Sequence, residues 1–407
     1  MRQIKTLADL IATNNLKGKK VLLRADLNVP MKHGQILDAT RVVGVIPTIS
    51  KLMDAGAKVI VISHFGRPEG KFDSNYSLSP IVDTLSDELS TYRKNAVEVK
   101  FGTDCIGAAA EKAVSHLEDG DVVLLENIRF HEGETANDKE FARALAALAD
   151  FYVNDAFSCS HRSHASITGV TEFIPAYAGI LIEKEIISLQ NSLENPTRPV
   201  AAIVGGSKVS TKIEMLECLV TKVNYLMIGG GMANTFLHAM GKNIGKSLCE
   251  KDLADTAKKI LEVAKQNNCE ILLPSDSVIS SAIDDRDNCA VAGNDNIPAD
   301  KMILDAGINT VIEWHKVLEN CKTLVWNGPV GAFEFPPFDA GTASIARSVA
   351  HLTKNNGLHS VAGGGDTVAA VSASGLRDSL SYISTAGGAF LEWLEGKELP
   401  GVKVLYK

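Results

Sequence analysis

The sequence predicts an α/β protein: two doubly wound, Rossmann-like parallel-sheet domains joined by an interdomain helix. Three observations carry this. Short β-branched runs alternate with segments of helical period, the whole series occurs twice, and a charged segment with two X-Pro steps separates the occurrences. Such alternation marks βαβ units. Their parallel strands are covered by helices on both faces and so read as continuous apolar runs.

The first series contains KVLLRADL (20–27), AKVIVISH (57–64), DVVLLEN (121–127) and DFYVND (150–155) as strands. RVVGVIPTISKLMDAG (41–56) and EFARALAALAD (140–150) carry the helical period between them. The second series runs PVAAIVGG (199–206), NYLMIGGG (224–231), CEILLPSD (269–276), TLVWNGP (323–329) and HSVAGGGD (359–366). The segment EKEIISLQNSLENPTRP (183–199) reads as the interdomain helix, and its Asn195-Pro196 and Arg198-Pro199 steps mark the boundary, because the residue before proline is pushed out of the helical region. The expected division is therefore a first domain over 1–182, a helix or hinge over 183–199, and a second domain from 200 to about 386.

The 407 residues suffice for two cores, and the 45% hydrophobic and 22% charged content is that of a globular chain. A net charge of −8 excludes a global basic field for nucleic acid or anionic membrane, so any anionic ligand needs a local basic cluster. Seven cysteines with no CxxC pair suggest reduced thiols and a cytoplasmic setting. MRQIKTLADL has no signal-peptide core, and no apolar run reaches transmembrane length.

Function is written at the strand ends. In an open parallel sheet the carboxyl ends share one edge, where ligands bind. In the first half those ends carry Arg24, Asp26 and Asn28; His64 and Arg67 in VISHFGRPEG; Asn127 and Arg129; then Asn154, Asp155, His161, Arg162 and His164. Arg41 opens the helix after the first strand. A single loop arginine is usually a solvated charge or a surface ion pair. Five at corresponding places, each a planar fork suited to phosphate and carboxylate, predict a site for a small, multiply anionic ligand.

In the second half the ends are Gly205-Gly206-Ser207-Lys208, Gly229-Gly230-Gly231 and Gly363-Gly364-Gly365-Asp366-Thr367. One glycine-rich turn is a tight βα connection. Three of them, with Lys208 and Lys212 read as one helical face and an Asp-Thr pair suited to Mg2+ and phosphate, predict a nucleotide-phosphate cradle. GKNIGKS (241–247) is one residue short of a Walker A loop and follows a helix-like run. GGGMAN (229–234) has Asn234 where the dinucleotide fingerprint needs its third glycine.

The ordered set RADLNVP (24–30), SHFGRP (63–68), LLENIRFHEGE (124–134), NDAFSCSHRSHAS (154–166), GGSKVSTKI (205–213), GGGMANTF (229–236), WNGPVGAFE (326–334), GGGDT (363–367) and STAGGAFLEWLEGK (384–397) resembles the phosphoglycerate kinase family from about residue 5 to the C-terminus. It departs from that pattern at Leu27, Ser207, CSHRSH and Ala386, of which Ser207 and Ala386 bear on fine nucleotide contacts and hinge geometry.

The resemblance implies reversible phosphoryl transfer from 1,3-bisphosphoglycerate to Mg-ADP, giving 3-phosphoglycerate and ATP, in a cytoplasmic monomer without nucleic-acid or membrane partners. It implies that Arg67, Arg129 and Arg162, with His64, hold the non-transferred phosphate, and that Asp26 and Asn28 hold the hydroxyl and carboxyl end. Arg41 and Lys212 match the catalytic pair, Lys208 a contact to the nucleotide phosphates, Asp366 the magnesium ligand and Thr367 a phosphate contact. Asn327 falls near the phosphates, Glu334 on the ribose, Gly205, Gly206, Gly229 and Gly230 beside the adenine, and Gly363, Gly364 and Gly365 in the phosphate turn. It further implies that about 387–407 packs back on the first domain, with Gly387 and Gly388 as a second hinge. No general base is needed, because the nucleophile in the ATP-consuming direction is an ionised carboxylate. The alternatives are a nicotinamide-dependent dehydrogenase, for which no dinucleotide fingerprint is present, and a two-lobed anion receptor without catalysis, which leaves Asp366-Thr367 and the lysines without a role.

Overall fold

The computed structural model describes residues 3–32 and 34–407. The chain divides into two compact units, Met1–Ile186 with Glu398–Lys407, and Ile187–Lys397. In the first, strands β1 (Lys20–Arg24), β4 (Lys58–Ile62), β5 (Val99–Gly102), β6 (Val122–Leu125), β7 (Phe151–Asn154) and β8 (Ala176–Ala178) form one sheet, and β2 (Met31–Lys32) with β3 (Gln35–Ile36) a small hairpin. The sheet order is β5-β6-β4-β1-β7-β8, every pair parallel. The chain leaves β1 toward β4 and leaves β7 toward β8 on the other side. The strand order therefore reverses between β1 and β7, where a crevice opens at the carboxyl ends.

The second unit repeats the plan with β9 (Val200–Val204), β10 (Tyr225–Ile228), β11 (Glu270–Leu272), β15 (Thr323–Asn327), β16 (His359–Gly363) and β17 (Tyr382–Ser384), in the order β11-β10-β9-β15-β16-β17 and all parallel. Its reversal lies between β9 and β15. A separate antiparallel sheet of β12 (Asp276–Ser280), β13 (Ala290–Gly293) and β14 (Met302–Ala306) is inserted between β11 and β15.

Core formation follows the periodicities. The helix Thr40–Asp54 buries Val42, Val45, Ile46, Ile49 and Leu52, a spacing of three and four that makes one apolar stripe. Each such side chain contributes roughly 1.5–3 kcal/mol by leaving water. Strand β1 buries Val21, Leu22 and Leu23 in succession because helices cover both faces of the sheet.

Four expectations are refined or corrected. The unit boundary falls at Ile186–Ile187, within the expected 183–199 segment, but inside the helix Ile180–Leu189 rather than at the two X-Pro steps. Ile182, Ile186 and Leu189 are all buried, so one apolar stripe carries the helix across the boundary. The prolines at 196 and 199 instead precede β9. Second, only Glu398–Lys407 returns to the first unit. There the backbone of Leu405 accepts from Lys5 N, and Lys407 N donates to Gln3. Residues 387–397 stay with the second unit, where the Phe390 ring covers Gly363, and Gly387-Gly388 lies inside that unit. Third, Lys208 and Lys212 do not share a helical face. The helix is Ile213–Leu219 with Lys212 as its N-cap. Glu250 holds the preceding segment out of the helix by accepting from Ser210 N at 2.9 Å and Ser210 Oγ at 2.5 Å. Fourth, β5, β8 and β17 and the antiparallel sheet escape the apolar-run criterion, being short or interrupted by polar residues such as Lys100.

Candidate active site

Arg24 ends β1 and is 1% exposed. Its Nε donates to Ser166 Oγ at 2.9 Å and its NH2 lies 3.2 Å from His64 Nδ1. A guanidinium only donates, so Nδ1 accepts and the His64 proton sits on Nε2. Burial pushes the His64 pKa well below the usual histidine range, and the charges of Arg24, Arg129, Arg162 and Arg41 push it the same way. His64 is therefore a neutral brace. Glu134, fully buried, accepts from Ser166 N at 2.9 Å and Ser166 Oγ at 2.7 Å. Burial works to raise its pKa, but the His164 hydrogen bond, the Arg24 charge and the two bonds from Ser166 outweigh it and hold the carboxyl ionised. Its charge offsets part of the arginine cluster.

Asn127 ties two loops together. Its Nδ2 donates to the carbonyls of Phe65 at 2.7 Å and Tyr76 at 2.9 Å, and its Oδ1 accepts from Phe65 N at 3.1 Å and Arg129 N at 3.0 Å. Arg129 NH1 donates to Gly66 O at 2.7 Å. Gly66 has φ +58°, and a Cβ there would overlap the Tyr76 ring, which is why the loop needs glycine at this point. Arg67, Arg129, Arg162 and His164 then line a cavity of about 470 Å³. Burial, with Arg162 and Arg24 nearby, lowers the Arg129 pKa to about 10, which leaves it charged at neutral pH. Three guanidiniums around one cavity form a receptor for a phosphate or carboxylate.

The other predicted residues of this unit stand beside that cavity. Asp26 pairs with Arg41 NH1 at 2.9 Å and accepts from the Ser158 hydroxyl and from Asn28 N. Arg41 also donates to Asn28 O at 2.9 Å, and Asn28 Oδ1 accepts from Gly66 N at 2.9 Å. Asp26 and Asn28 thus hold Arg41 and the Gly66 turn. His64 does not line the cavity and is 4% exposed; it stands behind, on Arg24.

In the second unit a cavity of about 680 Å³ is walled by Gly206, Gly230, Leu248, Val330 and Phe335, with Glu334 and Asp366 among its polar lining residues. Apolar walls with a few polar groups suit a planar heteroaromatic ligand with a polar tail. Gly205 and Gly229 are packed rather than open. A Cβ on Gly205 would overlap the Pro329 carbonyl, and one on Gly229 would meet Val330. Lys212 Nζ donates to Gly205 O at 2.7 Å and Asn327 Oδ1 at 2.6 Å, at the β9/β15 reversal. Burial lowers its pKa to about 8, partly opposed by the charge of Asp366. Asn327 also donates to Gly363 O at 2.8 Å, and Thr367 Oγ1 accepts from Gly328 N at 2.6 Å. Both tie strand ends from behind the cavity. Gly364, φ +95°, turns the chain into the helix Gly365–Ala373, whose N-terminus has no side-chain cap. Lys208 is exposed in the preceding loop.

Sequence reasoning missed the Ser166–Glu134 pair, which has no strand-end signature. It also missed Asp305 and Lys246, which line the larger cavity. Asp305 closes an antiparallel strand, outside the parallel-edge rule, and Lys246 lies in the GKNIGKS segment. Burial pushes Asp305 up to about 7 although Gly341 N donates to it at 2.7 Å.

A sequence model of the phosphoglycerate kinase family matches residues 11–397. The chain belongs to the phosphoglycerate kinase family. It is 55% identical over 405 residues to the phosphoglycerate kinase of Methylorubrum extorquens, covering 100% of this chain and 99% of that one. It is 53% identical over 410 residues to that of Agrobacterium fabrum. The solved phosphoglycerate kinase from Coxiella burnetii superimposes with a TM-score of 0.88 at 41% identity, covering 99% of each chain. That from Pyrococcus horikoshii gives 0.79 at 30%, covering 99% and 98%. Of the departures from the phosphoglycerate kinase pattern, Leu27 and Ala386 are buried, and Ser207 lines the larger cavity.

Proposed function

We propose that the two sites divide the phosphoglycerate kinase reaction between them, with 3-phosphoglycerate or 1,3-bisphosphoglycerate on the first unit and ADP or ATP on the second. The reaction moves a phosphoryl group reversibly between the acyl phosphate of 1,3-bisphosphoglycerate and ADP. The observation that carries the division is the convergence of Arg67, Arg129 and Arg162 on one cavity, three guanidiniums against the two carboxylates Glu69 and Glu132, in a chain of net charge −8. The non-transferred phosphate sits among these three. Asp26 and Asn28 aim Arg41 from the same sheet edge, and they take the hydroxyl and carboxyl end of the substrate when it binds. The cavity of Gly206, Gly230 and Glu334 takes the nucleoside, with Glu334 on the ribose. The helix starting at Gly365, together with Lys208, takes the phosphates.

Mg2+ fits this second site. Asp366 is exposed on the cavity wall and makes no hydrogen bond or ion pair among the described residues, leaving a hard oxygen donor with room for water and phosphate around it. Bound there, the ion neutralises charge on the nucleotide phosphates. The protein groups supply the rest. Arg41 and Lys212 stabilise charge on the transferring oxygens, and the donors fix the geometry of an in-line displacement. Since the nucleophile is already ionised, no proton has to be removed, and catalysis reduces to positioning and exclusion of water after hinge closure. The setting is the cytoplasm and the acting form a monomer. No helix among the described residues is long and apolar enough to cross a membrane.

The test is a coupled assay. Purified protein with 3-phosphoglycerate, ATP and Mg2+ forms the acyl phosphate, consumed by an added NADH-linked dehydrogenase. Turnover of about 1–100 per second or faster that vanishes without Mg2+ is the expected outcome. Folded protein that binds both ligands without turning over would establish the receptor reading.

A further inference from the structure

Strands β5 and β6 are neighbours at the edge of the first sheet, in register from Val99–Val122 to Gly102–Leu125. The loops that leave their carboxyl ends therefore lie side by side, with β4 between this pair and β1. After β5 come Asp104 and Cys105; after β6 and one short turn comes His131. Asp104, Cys105 and His131 each offer a ligand atom, and the three atoms lie within 4.8 Å of one another. We propose that Asp104, Cys105 and His131 form a site for a borderline divalent transition ion of the Zn2+ class, separate from the phosphoryl-transfer chemistry.

The donor set is one thiolate, one imidazole and one carboxylate, each a ligand that Zn2+ takes at about 2.0–2.3 Å. His131 Nε2 stands 2.7 Å from Asp104 Oδ1, so one proton now lies between them. An ion held by both moves these atoms apart by under about 1 Å, to the spacing of a tetrahedral shell. Asp104 and His131 side chains are 42% and 31% exposed, which gives an entry path and an open fourth position for water. Their surroundings are acidic. Glu132, Asp138 and Glu140 line the depression of about 620 Å³ that His131 also borders, and the charge of Glu134 reaches Cys105.

Charge separates this trio from a second one of the same kind. Asp26, His64 and Cys159 also bring ligand atoms within 4.8 Å, but Arg24, Arg41, Arg129 and Arg162 surround His64. That environment repels a dication. Burial and the neighbouring carboxylates keep the Cys105 thiol protonated in the free protein. A bound dication reverses that preference, because coordination removes the thiol proton outright. Binding then releases one proton from Cys105 per ion.

The probe is Co2+ added to the full chain under reducing conditions. The expected result is a thiolate-to-cobalt charge-transfer band saturating at one ion per chain, with the visible intensity of a tetrahedral site, abolished by added Zn2+. Cys105→Ser removes the band and Cys159→Ser keeps it. His131→Gln, at a partly exposed position, weakens binding about tenfold or more and carries the test if Cys105→Ser fails to fold. Absence of the band in the folded chain overturns the proposal. So does its persistence in Cys105→Ser, or unchanged affinity in His131→Gln.

Discussion

At the scale of the residue, the proposed role of Lys212 is open to test. Its amine donates to Gly205 O and to Asn327, and burial brings its pKa down to about 8. The charged form, proposed to stabilise the transferring oxygens, is therefore dominant below pH 8 and lost above it. Since kcat/KM reports the free enzyme, kcat/KM for ATP is expected to fall above a break near pH 8. Lys212→Met is expected to lower turnover by about 10²-fold or more. A profile flat to pH 9.5, or near-normal turnover in the variant, would remove Lys212 from the catalytic role. The same low-dielectric logic makes His64 a neutral brace.

At the scale of the element, strand ends and helix starts carry the tension. Asp155 follows β7 and caps the helix Ile180–Leu189, accepting from Leu181 N at 2.8 Å and Ile182 N at 3.1 Å. Burial pushes its pKa up to about 7. A carboxyl whose folded pKa is raised binds its proton more tightly in the folded chain. Its contribution is full below about pH 3.8 and is lost as pH rises through about 7, a loss on the order of a few kcal/mol. Asp155→Asn cannot ionise, so its melting temperature is expected to change less between pH 5 and pH 8 than that of the parent. Equal slopes in the two proteins would show that Asp155 ionises in both folded and unfolded chains alike. At the β9/β15 reversal, Gly205 lies against the Pro329 carbonyl with no space for a methyl group. Gly205→Ala is expected to lower the denaturation midpoint, by a ΔΔG of about 1–3 kcal/mol, and to weaken nucleotide binding in the same preparation. Unchanged ATP affinity, measured by calorimetry, would separate this turn from the nucleotide site.

At the scale of the whole molecule, two complete sheets carry two kinds of edge, one rich in arginine and one rich in glycine. Each unit has its own reversal point and its own cavity, so ligand affinities are expected to respond to substitution unit by unit. Arg162→Glu is expected to weaken 3-phosphoglycerate binding about 10²-fold or more, through loss of a charge-assisted pair and gain of a like charge, and to leave ADP affinity unchanged. Equal weakening of both ligands would overturn the two-unit assignment.

The sequence by itself determined the class of fold, the doubling of the sheet and the residues at each edge. These follow from local physics: buried parallel strands must be apolar on both faces, and loops at their ends must hold whatever polar chemistry the protein has. Arg67, Arg129 and Arg162 were legible in this way, as were Gly206, Gly230 and Asp366. Only the tertiary structure decided which of these groups face a cavity and which stand behind. It placed His64 on Arg24, tied Thr367 to Gly328 and left Asn327 on Lys212. It also set the unit boundary inside a continuous helix, and brought Glu134 to Ser166 across 32 residues of chain. The physical reason is that a side chain's direction and its protonation depend on partners distant in sequence, and burial fixes both only once the sheets have closed over them.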